Sequence, residues 1–155
     1  MDDLDHLKYL YGKLDEMKEL DEKLSKAMEA ADLIHKKESI EGAKIEYQRA
    51  KKELSSVEQQ LEDAQSNGAS ENDLDQIKKK IEFWGSQCGF HSSPAKFGDY
   101  QYRDEIRKSS FSTEEEIEKA FLPAEERAKI QSQIDQYKDD YLKTVSKVQS
   151  QAQVL

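Results

Sequence analysis

From Ile40 to Ala64 the apolar residues recur at alternating steps of three and four: Ile40, Ala43, Tyr47, Ala50, Leu54, Val57, Leu61 and Ala64. That spacing places all eight on one narrow seam of an α-helix. The positions between them are mostly Lys, Glu, Gln, Asp and Ser. A stripe this narrow is covered by another helix rather than by a broad globular core. The pattern therefore predicts an all-α chain: an elongated antiparallel coiled-coil hairpin or helical bundle.

The same reading extends in both directions. Leu7, Leu10, Leu14 and Met17 form one seam, and Leu20, Leu24, Ala27, Ala31 and Ile34 another. The two three-residue steps from Leu14 through Met17 to Leu20 are a stammer, which overwinds a coil locally. Between Ile34 and Ile40 the stripe loses phase, leaving two alternatives. Either one helix continues through 35–42 with a kink, or it stops and Ser39 caps a new one. The sequence Gln65-Ser66-Asn67-Gly68-Ala69-Ser70 is the clearest reversal. Asn67-Gly68 suits a left-handed helix end, and Ser70 with Asp73 suits a new start. Leu74, Ile77, Ile81 and Trp84 then resume the spacing, and so short a connection favours an antiparallel pair.

Gly85, Gly89, Pro94 and Gly98 then punctuate a stretch carrying Phe83, Trp84, Phe90, Phe97, Tyr100 and Tyr102. This predicts an aromatic-rich loop near 85–100. Its aromatics either cap one end of the bundle or dock a partner, with Trp84, Phe90, Phe97, Tyr100 and Tyr102 as the docking candidates. A short helix over 102–109 follows. Ser112 and Glu115 have capping-box spacing for a helix over 113–121. Pro123 ends that helix and opens the last one. The last helix, over 123–153, carries Ile130, Ile134, Tyr137, Tyr141, Val145, Val148, Ala152 and Leu155, heptad-like with one skip. The expected module spans 1–155, with helices over 3–66, 70–84, 102–109, 113–121 and 123–153.

Composition sharpens this picture. Charged residues make up 37% of the chain and hydrophobic residues 35%, enough for thin helix–helix seams but not for a wide core. The net charge of −9 comes from interleaved signs, as in Lys51-Lys52-Glu53, which marks a solvated helix surface. No basic stripe is present to neutralise phosphates, so direct nucleic-acid binding is not expected. No window approaches a membrane span, and the acidic start Met1-Asp2-Asp3-Leu4-Asp5 lacks the character of a signal peptide. A single cysteine, Cys88, precludes an intramolecular disulfide. Together these suggest a cytoplasmic protein.

Candidate chemistry is sparse. Cys88 and His91 have the spacing of two zinc ligands, but a structural zinc site takes four, and no second cysteine is available. His6 and His35 lie on predicted helices with nothing to bring them together. The chain carries no Gly-rich phosphate loop, no G-x-S-x-G and no H-E-x-x-H. The sequence points to neither a catalytic site, nor a metal, nor a cofactor.

The run from Tyr102 to Arg127, with Phe111, Glu114 to Glu116, Ala120 to Leu122 and Glu125 to Arg127 in order, leads into the helix of Ile130, Ile134 and Tyr137. It resembles the coiled-coil arm of bacterial SbcC-type exonuclease subunits, relatives of the SMC ATPases, over roughly residues 102–155. That resemblance implies an arm segment acting as spacer and linker in a DNA-end-processing, DNA-repair assembly. It implies no ATPase or nuclease site, because the chain lacks a Walker A loop, and no zinc hook, because Cys88 stands alone. Two functions follow as expectations. The first is a non-catalytic structural module that associates with itself or a protein partner through its seams, notably Ile40, Tyr47, Leu54, Val57, Leu61, Ile130, Ile134, Tyr137 and Tyr141. The second is a stand-alone regulator or inhibitor that docks a protein through the Trp84–Tyr102 region.

Overall fold

The computed structural model describes residues 2–154 and is all-α. Its helices are α1 (Asp3–Gly12), α2 (Leu14–Ser66), α3 (Glu71–Lys108), α4 (Glu114–Ala120) and α5 (Ala124–Val154). Contacts group the chain into two units. Among the described residues, one contains 2–32 and 109–154, the other Leu33–Lys108. Helix α2 contributes to both units.

The Leu33–Lys108 unit is an antiparallel hairpin of α2 and α3. Every predicted seam residue from Ile40 to Ala64 is buried or half-buried, with Ile40, Ala50 and Val57 the most enclosed. Helix α2 runs uninterrupted through 35–42. The reversal follows from main-chain chemistry. The Ala69 amide donates to the Ala64 carbonyl at 3.0 Å and the Gly68 amide to Gln65 at 3.3 Å. Gly68 has φ of 69°. This is a Schellman end, in which glycine takes the left-handed conformation at little cost. The Ser70 hydroxyl then accepts the Asp73 amide and starts α3.

The predicted loop at 85–100 is instead helical throughout, as is the 102–109 segment, which forms the end of α3. The reason lies in the seam. After Leu74, Ile77, Ile81 and Trp84 the three–four spacing continues through Cys88, His91, Ala95, Gly98 and Tyr102, all buried or half-buried. Small and polar residues hold these places, so the stripe fades to the eye while the helix persists. Pro94 lies inside α3, where it lacks the amide that would bond the Phe90 carbonyl and its ring crowds that carbonyl, a local cost that the packing of the surrounding seam offsets. Gly98 lets the two helices approach closely: a Cβ there would lie 2.5 Å from Ile40 Cγ2.

The other unit joins α1, the first part of α2, α4 and α5. Leu10, Leu24, Ala27, Ala30, Phe111, Ile117 and Ile134 form its buried core. The chain leaves α-helical hydrogen bonding at Lys13, close to the predicted stammer, and α2 starts at Leu14. The Leu10 carbonyl there accepts the Lys13 amide and the Tyr137 hydroxyl. The cap of α4 falls one residue later than the sequence suggests. Thr113 accepts the Glu116 amide, and the Glu116 carboxylate takes the Ser112 amide at 2.9 Å. On α5 the apparent skip disappears, because buried Thr144 fills the heptad place between Tyr141 and Val148. Its hydroxyl donates to Asp140. Ala152 is exposed, and Leu155 lies outside the described residues.

Candidate functional site

The aromatic residues of α3 separate onto two faces of one helix. Trp84 is half-buried and Tyr102 is only 8% exposed, so both belong to the hairpin seam. Lys37 lies over the Tyr102 ring at 6.0 Å. Phe90, Phe97 and Tyr100 stand outside the seam, 77%, 58% and 72% exposed. Phe83 joins them at 55%, its ring edge-on to Trp84 at 5.0 Å. Of the five docking candidates, three therefore lie on the surface. Phe83 is the one sequence reasoning left off that set, although its spacing could have found it: Phe83, Phe90 and Phe97 are seven residues apart, or two helical turns.

This face is also unusual in charge. From Phe83 to Ala95, thirteen consecutive residues contain no Asp, Glu, Lys or Arg, in a chain that is 37% charged. Exposed Ser86 and Ser93 lie between the phenylalanines on the same face. A solvated helix surface normally carries charge at such places. Phe90 sits at the centre of this uncharged run, and Phe83, Phe97 and Tyr100 extend it into a row of four large exposed aromatics, the kind of surface that a protein contact covers.

Charged residues cluster on the hairpin's edges. Lys44 bonds Asp99 at 2.7 Å and Glu41 at 3.2 Å, and Lys36 bonds Glu105. Lys44 holds the Asp99 carboxyl below the usual carboxylate range, chiefly by its hydrogen bond. The Tyr47 ring lies between two cations, with Lys51 at 5.4 Å and Lys96 at 5.6 Å. Of these, the Lys44–Asp99, Lys36–Glu105 and Lys96–Tyr47 contacts join α2 to α3, and none involves the phenylalanine face.

The second unit has an open apolar groove of about 390 Å³, lined by Leu14, Met17, Ile134, Tyr137, Tyr141 and Leu142 among others. Its walls are the predicted α5 seam and the start of α2. Burial, with the Tyr141 phenol nearby, pushes the Tyr137 hydroxyl above its ordinary value. His6 pairs with Asp140 at 2.9 Å beside this region.

Cys88 and His91 both occupy half-buried seam places on α3. Among the described residues, no three His, Cys, Asp or Glu side chains gather as a metal ion would need. No described helix is long and apolar enough to cross a membrane. Comparison with family models, curated proteins and solved structures returns no match.

Proposed function

We propose that this chain is a non-catalytic helical interaction module, whose contact surface is the phenylalanine face of α3. What carries the reading is the combination of four exposed aromatics in a row with the uncharged run 83–95 on an otherwise highly charged hairpin. Aromatic side chains supply much of the binding energy of protein interfaces, and isolated helices have little other reason to expose them in register. The hairpin serves the face by holding α3 against α2 through its seam and edge ion pairs, so that residues two turns apart are presented on one supported helix.

The test is to replace Phe83 and Phe97 together by Ser. A contact surface predicts unchanged helix content and a melting temperature within a few degrees of the parent, with loss of association in chemical cross-linking. A large drop in melting temperature would make these rings part of the fold and end the reading.

The Tyr102–Arg127 stretch favours a second reading, an arm segment of an SbcC-type assembly in which the helices act as a spacer. A nucleotide-binding head encoded in the same reading frame would decide for it.

A further inference from the structure

The phenylalanine face belongs to a second heptad seam on α3. Lys79, Phe83, Ser86, Phe90, Ser93, Phe97, Tyr100 and Asp104 alternate steps of four and three, and this set differs from the seam that meets α2. Large residues alternate with small ones along its centre. A basic residue stands at one end and an acidic residue at the other. From this we infer that the occupant of the face is a second copy of the same chain, with the two α3 helices antiparallel. The inference rests on the contact-surface reading above and names its partner.

The pattern selects both the partner and its direction. In an antiparallel register centred between Phe90 and Ser93, Phe90 of each copy faces Ser93 of the other. Phe97 then faces Ser86, and Phe83 faces Tyr100. Each large ring enters the space beside a small residue, which is how helices interlock knobs into holes. The same register sets Lys79 against Asp104 at both ends. Asp104 already binds Lys108 at 3.0 Å along its own helix, and a carboxylate has room for a second cation. A parallel pair would set ring on ring, Lys79 on Lys79 and Asp104 on Asp104. Charge and volume therefore agree on one orientation.

Area is sufficient. A large aromatic side chain carries roughly 200 Å², so at their observed exposures the four rings offer about 500 Å² per copy. Two copies bury about 1,000 Å², the lower bound for a specific interface. A twofold axis makes such a contact self-complementary and closed, so it stops at two chains.

Sedimentation of the purified chain at tens of micromolar tests this. The expected particle has twice the chain mass, and Phe90→Asp returns it to a single chain, weakening association by about tenfold or more while leaving circular dichroism unchanged. Spin labels in a Cys88→Ser background read the orientation. Labels on Ser93→Cys lie close together, whereas labels on Lys79→Cys lie about 37 Å apart, because twenty-five helical residues separate Lys79 from Asp104. Close Lys79 labels would mean a parallel pair and overturn the inference. A photo-crosslinking benzoylphenylalanine in place of Phe90, used both on purified protein and in lysate, separates the two readings. Adducts between copies support the inference. A single-chain particle whose only adduct is another protein overturns it and leaves the contact-surface reading standing. A single-chain particle with no specific adduct ends both.

Discussion

Two kinds of glycine in α3 make opposite predictions. Gly98 touches Ile40, whose branched Cβ is fixed to the helix and cannot swing away. Alanine at 98 gains about 1 kcal/mol of helix propensity but forces the helices apart, and overpacking of this kind costs about 1–3 kcal/mol. Gly98→Ala should therefore lose stability by about 1 kcal/mol in urea unfolding, and in an Ile40→Ala background the same change should cost nothing or stabilise, so that the two substitutions are non-additive. Gly85 and Gly89 have no atom within 4 Å of an added Cβ. Alanine at either should raise stability by about 0.5–1 kcal/mol.

Tyr137 makes a further prediction at this scale. Its hydroxyl donates to the Leu10 carbonyl where helical bonding breaks at Lys13, so Tyr137→Phe should cost about 1 kcal/mol near neutral pH. Burial raises the hydroxyl above 10.0, so the folded chain holds this proton more tightly than the unfolded chain. The stability it contributes is complete below pH 10 and declines as pH rises through the raised value. An alkaline unfolding series should show that decline in the parent and a flatter profile in Tyr137→Phe.

Among the elements, α2 could be read from sequence and the middle of α3 could not. The α2 seam consists of Ile, Leu, Val, Tyr and Ala, whose burial is the signal itself. In α3 the seam passes through Cys88, His91, Ala95 and Gly98, while the conspicuous aromatics stand outside it. Glycine and proline locally disfavour a helix, but cooperative packing along the partner offsets a few such residues. The hairpin's strength lies in its apolar contacts. Val57→Asp, which puts an unpaired charge against α3, should cost about 3 kcal/mol or more by chemical denaturation. Phe83→Ser, on the outer face, should fall within about 0.5 kcal/mol of the parent.

For the whole molecule, the sequence by itself determined an all-α chain, its helix-ending turn at Asn67-Gly68 and the residues of its main seam, because these depend on period and on local backbone chemistry. Only the tertiary structure decided which aromatics are hidden. Trp84 and Phe83 are neighbours of similar character, and their different exposure arises from the position of α2. The same holds for Thr144, whose polar side chain fills an apolar seam place because Asp140 accepts its proton one turn away. It holds also for the division into two units, with α2 shared between them. Periodicity reports which residues share a face; which faces meet depends on long-range packing, and this chain has more amphipathic faces than its own helices cover.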